Sequence, residues 1–181
     1  MRLVNVSPVR GDIPADIACE WIPIRPGSDT AMMLAMAHTM LSEGLEDREF
    51  LATCTDGFET LRAYILGESD GVAKTPEWQE KETGVPAHVC RALARSWAKK
   101  KTYLGAGGLG AGRGGAARNA TGAQWARSMI LMMAMQGWGK PGINFGNLQF
   151  GAPLDYNFYF PGYAEGGISG ELNFTAAALN N

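Results

Sequence analysis

Between Glu20 and Leu41 the sequence writes a strand, a tight turn and a helix in direct succession, and this run constrains the fold most. Trp21-Ile22-Pro23-Ile24 is a short apolar strand signal. It runs through Arg25-Pro26-Gly27 into Ser28-Asp29 and then the helical stretch Ala31 to Leu41. In α/β proteins, ligands collect at the carboxyl ends of strands, where loops and helix starts offer free N–H groups. Asp29 adds a negative charge that a phosphate site would not want. A carboxylate there suits a ligand edge rich in N–H donors, such as a purine. The alternative is equally local: Ser28 acts as an N-cap and Asp29 simply complements the helix dipole.

The rest of the first hundred residues reads as ordinary α/β sequence. Leu3 to Val6 is a strand ended by Ser7-Pro8, and a helix from about Asp29 to Glu43 stops at Gly44. Short helices are expected over Asp47–Cys54 and over Phe58–Leu66, the latter ended by Gly67. Thr75-Pro76 places an N-cap before a proline at the first helical position, opening a helix to about Thr83. Pro86 opens another over Ala87–Lys99, with Val89, Leu93 and Trp97 on one face. Thr102 to Leu104 is a third strand, and a long helix runs from about Ala117 to Gln136. Strands separated by helices imply a parallel sheet with right-handed crossovers. The expected fold is therefore α/β, a Rossmann-like parallel sheet with helices on both faces.

The second part of the chain is different in kind. Of the 24 glycines, 17 lie after residue 104, and beyond Lys140 the sequence is aromatic and almost free of charge. Trp138, Phe145, Phe150, Tyr156, Phe158, Tyr159, Phe160 and Tyr163 follow neither a helical nor a strand period. Irregular stretches of this length are uncommon inside compact domains. The expected organisation is an α/β domain over 1–137, followed by an irregular Gly/aromatic-rich segment over 138–181 that packs against other protein.

Composition excludes several partners. With 16 Lys and Arg against 18 Asp and Glu, the net charge of −2 gives no electrostatic reason to bind nucleic acid or an anionic membrane. The longest apolar run, Met129 to Met135, is too short to span a bilayer. Cys19, Cys54 and Cys90 form no C-x-x-C pair, and His38 and His88 lack metal-ligand spacing. No nucleophile elbow or acid–base pair stands out, so the residues alone describe a ligand-holding module.

Gly105-Ala106-Gly107-Gly108-Leu109-Gly110 matches G-x-G-x-x-G directly after a strand. The helix does not begin at once, and no acid closes a second strand some 20 residues later, as a dinucleotide site requires. What remains is a backbone free of side chains that a bulky ligand can approach, with Arg113 offering charge to a phosphate, or else a plain glycine linker.

Taken in order, several runs resemble the molybdopterin oxidoreductases of the dimethyl sulfoxide reductase family. They are Val4-Asn5-Val6-Ser7-Pro8-Val9-Arg10, Trp21 through Ala31, Glu43 through Leu51, Thr55-Asp56-Gly57-Phe58 and Gly67-Glu68-Ser69-Asp70-Gly71. Lys74 through Trp78, Thr83-Gly84-Val85-Pro86, Gly139-Lys140-Pro141-Gly142 and Phe145-Gly146 continue the series. The resemblance implies an internal piece of a catalytic large subunit that carries molybdenum or tungsten between two molybdopterin guanine dinucleotides, this piece holding one guanosine arm. It places Ser7, Pro8 and Arg10 where the nucleotide passes, Gly27, Ser28 and Asp29 at the guanine, and Ala106, Gly107, Gly108 and Gly110 near the pterin and metal.

The glycines of that last loop depart from sulfoxide reductases. With Gly166-Gly167-Ile168-Ser169-Gly170 they are closer to pyrogallol–phloroglucinol transhydroxylases and catechol dehydroxylases. The resemblance further implies that the metal ligand lies upstream of Met1 and that the parent transfers an oxygen atom or hydroxyl group. The implied partners are the remainder of that subunit and an iron–sulfur electron-transfer subunit, in the cytoplasm or periplasm of a prokaryote. Two other readings stand beside it: a free-standing nucleotide-binding or cofactor-handling module, and a purely structural subunit.

Overall fold

The computed structural model describes residues 2–104 and 121–145. In chain order these hold β1 (Val4–Val6), a 3-10 turn (Arg10–Asp12), β2 (Glu20–Ile22), α1 (Asp29–Glu43), α2 (Arg48–Cys54) and α3 (Phe58–Leu66). There follow α4 (Pro76–Thr83), α5 (Ala87–Lys99), β3 (Tyr103–Leu104), α6 (Gly122–Ala134) and β4 (Asn144–Phe145).

At the centre lies α1. Met32, Leu34, Ala35, Met36, Ala37, Thr39 and Met40 are all buried, so the helix is apolar around most of its circumference, as a helix enclosed by others must be. It packs on α3, α4, α5 and α6. Ala35 and Ala37, both fully buried, let neighbours approach closely. Methionines Met32, Met36, Met40, Met132 and Met135 fill the core between the helices. Gly44 ends α1 in the left-handed region at φ 63°, its N–H returning to the carbonyls of Met40 and Leu41.

The remaining helices start and stop where their local chemistry dictates. Asp47 caps α2, accepting from the Phe50 N–H at 3.0 Å. Thr75 caps α4 through the Trp78 N–H at 3.1 Å, ahead of Pro76. Glu80, on the polar face of α4, reaches across to the Ala87 N–H and caps α5 instead of standing free in solvent. Gln136, just past α6, donates through Nε2 to the carbonyls of Trp97 and Lys100 and to Thr102 Oγ1, fastening α6 to the exit of α5.

The strands pair in parallel, as expected, but as two ribbons of two strands each among the described residues. Val4, Asn5 and Val6 lie opposite Glu20, Trp21 and Ile22, and Tyr103 and Leu104 opposite Asn144 and Phe145. Residues 7–19 join β1 to β2 with only a 3-10 turn, because Pro8, Gly11 and Pro14 leave no stretch able to hold an α-helix. Pro23 ends β2 one residue past Ile22 by removing an N–H, although Ile24 stays buried. The described chain is thus a helix-rich α/β assembly with small parallel sheets. Among the described residues no helix is long and apolar enough to cross a membrane.

Candidate functional site

Val6 of β1 and Ile22 of β2 lie side by side in parallel register, so the loops after the two strands leave the ribbon at the same end. Two of the three groups of residues singled out in the sequence are therefore neighbours by topology. Ala106, Gly107, Gly108, Gly110 and Arg113, the third group, lie outside the described residues.

After β1, Ser7 is buried and its polar groups are used within its own loop and on β2. Its hydroxyl donates to Asp12 and accepts from the Val9 N–H at 3.1 Å, while its carbonyl accepts from Trp21 Nε1 at 2.9 Å. Ser7 is thus a strut that shapes the loop. Pro8 and Arg10 are exposed, the Arg10 guanidinium standing 5.9 Å from the centre of the Trp21 ring. A cation is thereby presented at the end of the ribbon.

After β2, Arg25-Pro26-Gly27-Ser28 forms a turn of type II pattern: proline second, Gly27 third at φ 77°, and the Ser28 N–H closing on the Arg25 carbonyl at 3.3 Å. Ser28 occupies the N-cap position of α1, yet its hydroxyl turns back and donates to the same Arg25 carbonyl at 2.7 Å. The side-chain cap expected from local sequence is not made. The hydroxyl tightens the turn and leaves the helix mouth open.

Asp29 is the first residue of α1 and is half-buried. Burial pushes its carboxyl above the ordinary value of 3.8, partly offset by a hydrogen bond from its own backbone N–H. No cationic side chain among the described residues pairs with it. A partly desolvated carboxylate without a counter-charge is costly for folding alone, and its two acceptor oxygens fit a ligand that brings adjacent N–H donors.

Sequence reasoning passed over the part played by Arg25. Its N–H donates to the Thr83 carbonyl at 2.9 Å, and its guanidinium to the carbonyls of Lys81 at 2.5 Å and Glu82 at 3.3 Å. These are last-turn carbonyls of α4, where a cation is favoured by the helix dipole. Their anchor is a buried polar knot. Gln79 donates to the carbonyls of Pro76 and Val85 and accepts from Thr83 Oγ1, which itself accepts from the Val85 N–H. Gln79 is fully buried in this short polar helix, which its sequence does not announce.

His38 and Cys90 are taken up in the helical packing, whereas His88 and Cys54 are exposed. His38, half-buried on α1, is held below its usual value by desolvation despite nearby Glu77, and its Nδ1 lies 3.3 Å from Ser42 Oγ. Burial pushes the Cys90 thiol up to about 12, which makes it unreactive at neutral pH.

Comparison with known proteins places the chain among relatives. The molybdopterin oxidoreductase family model matches residues 1–179. The pyrogallol hydroxytransferase large subunit of Pelobacter acidigallici is 54% identical over 163 residues, covering 90% of this chain and 18% of the relative. Trimethylamine-N-oxide reductase of Haemophilus influenzae is 33% identical over 174 residues, covering 94% and 20%. The chain thus spans about a fifth of the length of these curated relatives. Among solved structures, acetylene hydratase from Pelobacter acetylenicus superposes with a TM-score of 0.57 at 23% identity, over 75% of this chain and 17% of that one. At that identity the likeness speaks for the fold.

Proposed function

The chain belongs to the molybdopterin oxidoreductase family, and on that footing we propose that it holds one guanosine arm of a molybdopterin guanine dinucleotide in a larger catalytic subunit. Gly27 and Ser28 shape the turn against the base, and the Asp29 carboxylate accepts from guanine N1–H and the exocyclic amino group together. Arg10 at the neighbouring loop offers positive charge to the nucleotide as it passes, and Ser7 and Pro8 set that loop. Ala106, Gly107, Gly108, Gly110 and Arg113 are assigned to the pterin side on sequence pattern alone. When bound, the cofactor supplies molybdenum or tungsten for oxygen-atom or hydroxyl transfer. The chain's own contribution is to bind and orient the nucleotide.

The observation that carries this reading is the Asp29 carboxylate: half-buried, raised by desolvation and unpaired among the described residues. Guanine is complementary to it, since two charge-assisted hydrogen bonds replace the lost hydration. The 54% identity to a hydroxytransferase large subunit favours hydroxyl transfer as the parent reaction. That relative's designation also supports a smaller partner, which we assign to iron–sulfur electron transfer. In the parent, the two short ribbons would join a larger Rossmann-like sheet with helices on both faces. Residues 1–137 would form the nucleotide domain and 138–181 would pack on the remainder of the subunit.

The test is Asp29→Asn in the full polypeptide that carries this chain. The amide keeps the shape but turns an N–H donor towards the donors of guanine. Losing one charged hydrogen bond of about 1.5–3 kcal/mol weakens nucleotide retention by roughly 10- to 150-fold. Guanylate and metal released per polypeptide on denaturation should fall together. Unchanged guanylate content in the variant refutes the assignment.

A further inference from the structure

We propose that Arg25 is the positioning residue that aims the Asp29 carboxylate, by fastening the turn between β2 and α1 to the C-terminal end of α4. The inference rests on the reading of Asp29 as the guanine acceptor.

Arg25 is exposed, yet it forms no ion pair among the described residues. Its cation is committed to the carbonyls of Lys81 and Glu82 instead. Its backbone is tied on both sides. The N–H goes to the Thr83 carbonyl, and the carbonyl receives both the N–H and the hydroxyl of Ser28, the residue before Asp29. A continuous path of hydrogen bonds therefore runs from α4 through Arg25 to Ser28 and the first turn of α1.

The fixed end of that path is rigid. Both amide hydrogens of Gln79 and both roles of the Thr83 hydroxyl are satisfied in a buried setting, where such networks hold one geometry. Gly84 follows in the left-handed region at φ 76°, and a Cβ there would lie 3.7 Å from Arg25 Nε. That is ordinary van der Waals contact, so the guanidinium lies directly over the helix end, and glycine is called for there by its positive φ. A planar guanidinium with several fixed donors suits neighbouring carbonyls better than an ammonium does.

The experiment uses the full polypeptide that carries this chain, prepared without its cofactor, and measures calorimetric binding of GDP and IDP. IDP lacks the exocyclic amino group that the aimed carboxylate would recognise. Arg25→Ala should weaken GDP by about 10-fold and bring the GDP/IDP ratio close to one, the scale expected when one charge-assisted contact is lost. Arg25→Lys should retain part of the ratio, and it carries the test if the alanine variant does not fold. In an Asp29→Asn background, either Arg25 change should leave the ratio where Asp29→Asn alone put it, because coupled residues are not additive.

A merely structural Arg25 would weaken both nucleotides equally and by the same factor in both backgrounds; that result overturns the proposal. If Asp29→Asn collapses the ratio while both Arg25 variants preserve it, Arg25 alone is refuted. If Asp29→Asn leaves the ratio unchanged, the guanine reading fails and the role of Arg25 fails with it.

Discussion

Replacing Gly137 by alanine should destabilise the chain by about 2–4 kcal/mol, and the structure divides that loss into two sources. Gly137 sits just past α6 with φ 78°, a region that costs an L-residue roughly 1–2 kcal/mol. A Cβ there would stand 2.4 Å from Asp47 Oδ2 and 2.8 and 2.9 Å from Lys140 Cδ and Cε. The lysine stem is half exposed and can swing aside, whereas the Asp47 side chain is 17% exposed and is held by two bonds. One oxygen caps α2 at Phe50 and the other pairs with Lys140. The Asp47 backbone N–H, moreover, is fixed to the Met135 carbonyl at 2.8 Å, two residues before the glycine. Moving the carboxylate out of the way removes the cap, at about 1–2 kcal/mol. Equilibrium urea denaturation of Gly137→Ala, Asp47→Ala and the double variant measures the partition. Once Asp47 is truncated, the glycine substitution should cost only the backbone share. A loss below about 1 kcal/mol for Gly137→Ala, or strict additivity of the two changes, would refute the steric argument.

Two further outcomes are expected. Lys74 is 2% exposed, and its Nζ donates to Asp70 Oδ2 at 2.7 Å and to the carbonyls of Tyr64 and Val72, 4.0 Å from the Tyr64 ring centre. Lys74→Met keeps the stem but strips donors from two carbonyls, so the urea midpoint should drop by the equivalent of about 2–3 kcal/mol; an unchanged midpoint contradicts this role. Asp29 has the opposite sign to an ion-paired acid. Its folded pKa lies above the unfolded value of 3.8, so the folded state binds the proton more tightly. Its penalty is fully present above the folded pKa and is relieved as pH falls through it. The unliganded Asp29→Asn chain should therefore melt higher than the parent sequence at neutral pH, the gap closing as the medium approaches about pH 4; a lower melting point at neutral pH would show that the carboxylate stabilises the unliganded fold.

Helix boundaries were legible because their causes are local. Gly44, Gly67 and Gly84 each end a helix at positive φ, and Thr75-Pro76 opens one, as residue type and spacing anticipate. The strand–turn–helix order around Asp29 was legible for the same reason. The direction of the Ser28 hydroxyl was not, since a serine before a helix can cap forward or tighten the turn behind it, and only the geometry of Arg25-Pro26-Gly27 decides. Contacts set by distant parts of the chain left little local trace. Arg25 reads as a charged turn residue until α4 is folded beside it, and Lys74 reads as a solvated cation until the loop 67–73 closes over it. Pairing of β3 with β4 joins two-residue strands across α6, too short for any period to show.

The amide of Gln136 has a consequence for how this protein can change over time. By gripping Trp97, Lys100 and Thr102 it ties the exit of α5 to the end of α6, whose own start at Gly122 is buried. Both anchorage points are set by groups among the described residues. The same seam is held by the Trp97 indole, whose Nε1 donates to the Met132 carbonyl at 3.1 Å. Over time the Gln136 position is less free to vary than its place just beyond a helix end suggests, because one exchange would loosen α6 and the start of β3 together.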